Sequence, residues 1–336
     1  MAHDLHIENG KTSMFYYGAQ PWHGLGTRLS SPATAAEAIH AAKLDWQVTK
    51  HELHAVEKGG NFGIPLKNKY AIVPAHRWRQ PDCPVFGIVG SGYTLLQNRE
   101  AFEFFDPIVG EGAAIYHTAG ALGDGERVWI LAKLPTSIVV AENDIADKYL
   151  LLSNSHDGTS SVQIKFTPIR VVCNNTLTMA LKTGPTIRVS HTRELKERLE
   201  KARRALKLVN THYEHIENVF KKMVTIKIDE ARLQVYLRLV FPSPGDPEDH
   251  KALERVEKDR TSAARLFESG LGNSAKPIAG TLWAAYNGIT ELVDHTSKGR
   301  ARIDHLEQIW FGDGYYLKAR AFEIAKTQVN EWPPQN

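Results

Sequence analysis

Alternating apolar and polar positions predict that the first half of the chain is mainly β-structure. Runs rich in Val, Ile, Leu, Tyr and Trp are separated by clusters of Gly, Asp and Asn, which is typical of antiparallel strands joined by turns. Short helices are predicted over 34–43 and 98–105. The predicted strands occupy 46–56, 69–73, 85–89, 127–134, 137–140, 148–153 and 161–166.

A long antiparallel hairpin is predicted from about Lys148 to Phe166. The sequence His156-Asp157-Gly158-Thr159 lies between two apolar runs, and Asp-Gly supplies the positive backbone angles that a tight turn needs. On the returning strand, the apolar residues Val162, Ile164 and Phe166 alternate with the polar residues Gln163 and Lys165. This alternation predicts that one face of the strand is buried and the other is exposed to solvent.

Helical patterns dominate the rest of the chain. Thr167 as cap and Pro168 at the first helical position predict a helix that runs to about Lys182. Further helices are predicted over 251–267, 281–295 and 315–329, and the Pro-rich segment 242–247 is the clearest linker candidate.

An unbroken heptad stripe of apolar residues follows the predicted helix start at Leu195. It indicates a long helix, either packed on a core or in a helical hairpin, or else forming a contact between subunits. Its members are Leu195, Leu199, Ala202, Leu206, Val209, Tyr213, Ile216, Phe220 and Met223.

These patterns together predict an α+β fold. An antiparallel β-sheet with a long hairpin and packed helices is followed by a mostly helical C-terminal region. The predicted domains are an α+β core over 1–190, a long basic helical segment over 191–240 and a helical region over 248–330.

The charge of the chain is small overall but unevenly distributed. Its 336 residues include 41 Lys and Arg and 38 Asp and Glu, a formal net charge of +3. Between 160 and 232 there are 15 basic and seven acidic residues, so this span carries +8 and the remainder −5. Such a basic segment is typical of polyanion binding. The alternative is a solvated helix face, since Glu194, Glu197 and Glu200 interleave with the basic residues at pairing distance.

Composition excludes several other classes. No apolar run reaches about 18 residues, so a transmembrane helix is not expected. The N-terminus lacks the pattern of a secretory signal, and two cysteines are too few for a disulfide framework or a four-cysteine zinc site, so a cytoplasmic protein is expected. The chain contains no Gly-x4-Gly-Lys-Ser/Thr or His-Glu-x-x-His motif, and we predict no cofactor and no metal.

Four local motifs resemble reactive or binding sites. Gly90-Ser91-Gly92 follows a strand, but Leu95 replaces the third glycine of a dinucleotide fingerprint. Ser155-His156-Asp157 contains the residue types of a catalytic triad, whose members must converge from separate elements. Cys173 lies three residues after Arg170, whose positive charge would lower the pKa of a nearby thiol and favour a nucleophilic cysteine. A lone cysteine in an apolar helix, however, usually packs in a core. His212 and His215 have helical spacing for a metal, but they flank the stripe residue Tyr213, and a solvated helix face is the better explanation.

Several stretches together resemble the phage/plasmid-like protein family, a domain of unknown function. The most specific is Thr167-Pro168-Ile169-Arg170-Val171-Val172-Cys173-Asn174-Asn175-Thr176-Leu177. The others are Pro21-Trp22-His23-Gly24-Leu25-Gly26, Gly90-Ser91-Gly92-Tyr93 with Gln97-Asn98, Ser153-Asn154-Ser155-His156-Asp157-Gly158, and Gly280-Thr281-Leu282-Trp283-Ala284-Ala285-Tyr286-Asn287. The resemblance covers nearly the whole chain and implies a mobile genetic element.

That context favours DNA transactions such as recombination. Phages and plasmids commonly carry single-strand annealing proteins, whose antiparallel sheet, hairpin and long helix form rings with DNA in an outer basic groove. The leading hypothesis is therefore a homo-oligomeric, non-enzymatic DNA-binding protein that favours single strands and acts in a bacterial cytoplasm. The predicted phosphate contacts are Lys165, Arg170, Lys182, Arg188, Arg193, Arg203 and Arg204.

Two alternatives remain open from sequence. One is a hydrolase-like enzyme that uses His156, Asp157 and Cys173. The other is an interaction module that binds a host protein through the heptad stripe.

Overall fold

The computed structural model describes ten ranges of the chain: 5–18, 24–56, 58–60, 63–110, 114–170, 175–176, 186–205, 209–296, 305–310 and 312–332. The strands are β1 (Ile7–Glu8), β2 (Lys11–Thr12), β3 (Met14–Tyr17), β4 (Thr27–Leu29), β5 (Val48–Val56), β6 (Gly63–Pro74), β7 (Gly87–Val89), β8 (Ile115–Leu122), β9 (Arg127–Ala141), β10 (Asp144–Ser155), β11 (Val162–Arg170), β12 (Asn175–Thr176) and β13 (Thr186–Val189). The helices are α1 (Ala35–Ala41), α2 (Asn98–Glu103), α3 (Asp106–Gly110), α4 (Leu195–Ala205), α5 (Val209–Thr225), α6 (Glu230–Val240), α7 (His250–Ser269), α8 (Leu282–Glu291), α9 (His305–Trp310) and α10 (Asp313–Glu331).

The predicted α+β class is confirmed. The main sheet has the strand order β12-β11-β10-β9-β8-β3-β4, with β13 beside β11. A separate three-stranded sheet has the order β5-β6-β7 and is antiparallel throughout. The main sheet also contains one parallel pair, β3 with β4.

The chain folds into two compact units, each assembled from separated segments. Unit 1 comprises 1–135, 150–165 and 186–207, and unit 2 comprises 136–149, 166–185 and 208–336. The Pro-rich segment 242–247 connects α6 to α7, and both helices belong to unit 2.

Unit 1 has a core built between the main sheet and short helices. Helix α1 begins after Thr34, whose side chain accepts a hydrogen bond from the Glu37 amide while the Glu37 carboxylate accepts from the Thr34 amide. This capping box satisfies two donors that would otherwise have no partner at the helix start. On the inner face of the helix, Ala38 is fully buried and Ile39 is almost fully buried.

Unit 2 has an aromatic core among its helices. Phe220 of α5 lies against Trp283 and Tyr286 of α8 and Phe322 of α10, with ring centroids 4.6 to 6.4 Å apart. The Trp283 indole donates to the Asp144 carboxylate across 2.7 Å, so the buried nitrogen has a partner. Packing of apolar faces, rather than helix propensity alone, therefore holds these helices together.

The predicted hairpin is confirmed as β10 and β11. Gly158 in the connecting turn has φ of +79°, a conformation that glycine adopts without steric cost. The prediction of a wet face that includes Lys165 is wrong, because its side chain is only 5% exposed.

The predicted helix from Thr167 is wrong at its start. Strand β11 continues through Thr167 and Pro168 to Arg170. The fixed φ of proline is compatible with a strand at any position where no backbone N–H is needed for pairing. Pairing with the neighbouring strands therefore determined the conformation of Thr167 and Pro168. The prediction is also wrong at Asn175 and Thr176, which form β12 beside β11, and its other residues, 171–174 and 177–182, lie outside the described residues.

The described residues of the heptad stripe lie on α4 and α5. Helix α4 ends at Ala205 and α5 begins at Val209, and residues 206–208 lie outside the described part of the chain. Helix α4 belongs to unit 1 and α5 belongs to unit 2. The stripe residues whose burial is described are 0–8% exposed: Leu195, Leu199, Ala202, Tyr213, Ile216, Phe220 and Met223. These residues pack within the chain and offer no surface to a host protein.

Candidate nucleic-acid interface

The basic residues of α4 are largely paired with acids. Three ion pairs at i,i+4 spacing run along the exposed helix: Arg198 with Glu194, Lys201 with Glu197 and Arg204 with Glu200. Such pairs contribute little stability, but each places a negative charge beside the cation. Arg204, one of the predicted phosphate contacts, therefore presents a partly neutralised surface.

The groove beside α4 is acidic rather than basic. Its volume is 210 Å³, and Glu100, Glu103 and Glu200 line it together with Lys196. Lys196 Nζ lies 2.8 Å from the Glu100 carboxylate, which raises the pKa of the lysine through a hydrogen bond. The three carboxylates that line this groove would repel a phosphate backbone locally.

Two predicted arginines remain exposed without an acidic partner in the part of the chain that the structure describes. Arg188 lies on β13 opposite Gln163 of β11, and Arg193 follows four residues after the strand ends at Val189. Both belong to unit 1, and Arg188 lies beside the turn end of the β10–β11 hairpin. Arg193 follows two residues after His191, whose ring stacks on Tyr93, and the Tyr93 hydroxyl donates to the Ser155 carbonyl of that hairpin. These two arginines are the cations of the predicted set that are available to an anionic ligand.

The other predicted contacts are buried or fall outside the described side chains. Lys165 is buried in β11, so it is removed from the candidate interface. The side chains of Arg170 and Arg203 lie outside the described residues, as does the whole of Lys182.

His156 is held as a structural residue at the end of β10. Its Nε2 lies 2.9 Å from Asn98 Oδ1, and the Asn98 amide nitrogen donates to the carbonyls of Leu44 and Trp46. Because Asn98 Oδ1 can only accept, His156 carries its proton on Nε2. Burial lowers the pKa of His156 to about 3, so the ring is neutral.

Ser155, His156 and Asp157 do not form a triad. The Asp157 carboxylate accepts hydrogen bonds from the Ser155 hydroxyl and from the amide and hydroxyl of Thr159, which closes the turn. The His156 ring instead packs beside Trp46 and Phe86, with centroids 5.7 and 6.2 Å away. The third predicted hydrolase residue, Cys173, lies outside the described residues.

A second basic surface, which the charge count along the sequence overlooked, lies on the three-stranded sheet. Residues 48–80 contain six Lys and Arg against two Glu, although the chain outside 160–232 is acidic overall. Of these, Lys67, Lys69 and Arg79 are exposed and have no acidic partner among the residues described. A count restricted to this window would have found them.

Neither a cluster of metal-ligating side chains nor a helix able to span a bilayer occurs among the described residues. Groups of three or more His, Cys, Asp or Glu suited to a metal are absent among these residues, and His215 is exposed on α5. No described helix combines the length and apolar character that crossing a bilayer requires.

Comparison with protein families places the chain in one of them. A profile of the family described as "Domain of unknown function (DUF932)" matches residues 85–310, about two thirds of the chain. The chain therefore belongs to this family. No curated protein and no solved structure matches it.

Proposed function

We propose that this chain is a single-strand DNA-binding protein of the annealing type, encoded by a mobile genetic element and acting as a homo-oligomer in a bacterial cytoplasm. The observation that carries the proposal is the exposed pair Arg188 and Arg193 beside the β10–β11 hairpin, without acidic partners among the described residues. Arginine contacts phosphate in a forked, bidentate geometry, which suits a nucleic-acid backbone.

The chemistry of annealing fits a protein that offers a basic surface and no nucleotide site. Base pairing between the two strands supplies the sequence matching, so the protein has only to hold phosphates and keep bases accessible. The phage/plasmid resemblance supports the same context, and the β10–β11 hairpin is compatible with the layout of such proteins. A shared layout supports the proposal only by analogy of fold, whereas the two arginines supply the groups that would contact phosphate.

Binding of a labelled oligothymidylate to the whole chain at several salt concentrations tests the proposal. The affinity should fall steeply with salt, because each phosphate contact releases condensed counterions. The double variant Arg188→Ala/Arg193→Ala should bind more weakly, and the slope of log K against log salt should shrink by about 1.4, or 0.7 for each lost contact.

The matched control is Arg198→Ala/Arg204→Ala on α4. It removes the same charge from residues that are already paired with Glu194 and Glu200, so the slope should change less than in the first variant. The absence of single-strand binding at low salt, or an affinity insensitive to salt, would refute the proposal.

Annealing and assembly require a second measurement. The rate at which two complementary labelled strands pair should increase with the protein and decrease in Arg188→Ala/Arg193→Ala. Light scattering should give a particle mass several times the 37.6 kDa of one chain. A strictly monomeric protein that binds strands without accelerating their pairing would contradict the annealing part of the proposal.

A further inference from the structure

The three-stranded sheet packs one face into the core, and its other face is only partly exposed, since Ala71 and Val73 are buried there whereas Ile88 is exposed. Val48, Ile72 and Val89 form a buried cluster on the first face, with partly buried aromatic residues packed against it. Residues directly opposite one another on paired strands share a face. The register places His51, Ala71 and Ile88 side by side on the other face.

That second face exposes apolar surface which a solvated sheet normally replaces with polar residues. Ile88 is 60% exposed, and Trp78, which follows β6, is 43% exposed. The Trp78 ring stacks on the His51 ring with centroids 3.7 Å apart and planes inclined by 14°. The His51 ring is held in turn by a hydrogen bond between its Nε2 and the Thr49 hydroxyl, 2.9 Å apart. The indole is therefore a flat, prepositioned and accessible aromatic surface.

Cations surround this aromatic surface. Lys69 lies two positions before Ala71 on β6 and so shares its face, and Arg79 directly follows Trp78. Both are exposed without an acidic partner among the residues described, as is Lys67 near the bulge of β6. The described acids nearby are Glu8, which pairs with His76, Glu52, which lies opposite Tyr70, and Asp82, which pairs with Arg77.

We propose that the exposed face of the three-stranded sheet, defined by His51, Lys69, Trp78, Arg79 and Ile88, binds single-stranded nucleic acid. One base stacks on Trp78, Ile88 contacts the neighbouring base or sugar, and Lys69 and Arg79 contact phosphates. An accessible aromatic ring flanked by cations is the combination that single strands recognise without sequence preference. This inference rests on the proposed function and names the surface that contacts bases.

Charge distinguishes this ligand from a second copy of the chain. A symmetric contact would bring the same patch of two copies together, so Lys69 and Arg79 would face their own counterparts. Like charges at such a contact repel, whereas a phosphate backbone neutralises them. The face therefore fits a polyanion better than it fits itself.

The test compares wild type, Trp78→Ala and Trp78→Phe on an oligothymidylate and on an abasic strand of equal length. Trp78→Ala should weaken oligothymidylate binding about 5- to 100-fold, the effect of losing one stacked base. Trp78→Phe should recover most of it, because the phenyl ring still stacks. Neither variant should alter binding to the abasic strand, and the salt slope should stay that of wild type.

A second variant and a control separate stacking from charge and from general damage. Lys69→Ala/Arg79→Ala, which removes the two proposed phosphate contacts, should reduce the salt slope by about 1.4. Tyr316→Ala, which truncates an aromatic residue that is 59% exposed in unit 2, should leave binding unchanged. Circular dichroism and thermal melting establish that each variant is folded.

The outcomes are distinguishable from failure of the proposed function. If wild type binds strands and a folded Trp78→Ala binds equally well, this face is not the base-contacting surface, while the proposed function stands. If Trp78→Ala lowers the particle mass and its weaker binding follows from that loss, the face is a contact between copies and the inference is overturned. If wild type binds neither strand, the proposed function fails, and the inference fails with it.

Discussion

Acidification is expected to destabilise unit 1 through His156. The side chain is 1% exposed, and burial lowers its pKa to about 3, whereas an unfolded histidine titrates near pH 6.5. Between these two values the unfolded chain takes up a proton that the folded chain does not. The free energy of unfolding therefore falls as the pH decreases from about 6.5 towards 3.

The expected loss follows from the two pKa values. Between pH 7 and pH 5 the contribution of His156 amounts to about 2 kcal/mol, which is a large part of the stability of an ordinary domain. His191, whose pKa is also lowered by burial, adds a loss in the same direction. The effect of His156 must consequently be measured as a difference against a variant that retains His191.

Urea unfolding of wild type and His156→Gln at both pH values provides that difference. The glutamine amide can still donate to Asn98 and does not titrate. Wild type should lose about 2 kcal/mol more than the variant between pH 7 and pH 5. An exposed histidine variant, His215→Gln, should lose as much as wild type. Equal losses in wild type and His156→Gln would show that the ring is protonated as easily in the folded chain, and would refute the reasoning.

Three further substitutions test packing, and urea unfolding at pH 7 measures each. Gly87→Ala should lower the free energy of unfolding by more than about 2 kcal/mol, because a Cβ at this position would lie 2.2 Å from the Asp157 carbonyl oxygen of the hairpin turn. Its control, Gly90→Ala, should change that free energy by less than about 0.5 kcal/mol, because a Cβ there would have no atom within 4 Å. Lys318→Met should cost about 3 to 5 kcal/mol, since it leaves the Asp294 carboxylate buried without its cation; a small change would mean that water reaches this pair. Thr34→Ala should cost about 1 kcal/mol by removing the cap of α1, and no loss would contradict the capping role.

Local signals predicted most of the elements in the first half of the chain. The alternation of Val162, Ile164 and Phe166 correctly placed three buried side chains on β11, and Asp157-Gly158 correctly marked the turn before it. The alanine-rich helical spacing over 34–43 likewise located α1, which spans Ala35–Ala41. These signals succeed because neighbours in the chain alone set the backbone preference of turns and of alanine-rich segments.

The errors occur where distant residues decide the outcome. Thr167-Pro168 has the form of a helix start, yet β11 continues through it. Lys165 occupies a polar position of an alternating strand, yet it is buried. Neither the strand pairing nor the covering of a sheet face can be inferred from residues within a few positions, because both depend on segments far away in sequence.

The candidate interface shows the same division. Counting charges located a basic span, but it did not reveal that acids neutralise the exposed face of α4 and that Arg188 and Arg193 stay unpaired among the described residues. The aromatic surface on the three-stranded sheet was missed entirely. His51 and Trp78 are far apart in the chain, and only the turn of structure after β6 stacks one ring on the other.

The amino-acid sequence by itself determined the α+β class, the hairpin and its turn, and an apolar stripe whose described members are buried. Those features follow from periodicity and turn chemistry, which act between close neighbours. The tertiary structure decided which polar groups reach solvent: it buried Lys165, neutralised the ring of His156 and exposed Trp78 among cations. The physical reason is that the solvation and charge of a side chain depend on all the groups packed around it. Many of these groups are distant in sequence, so the sequence alone does not identify them.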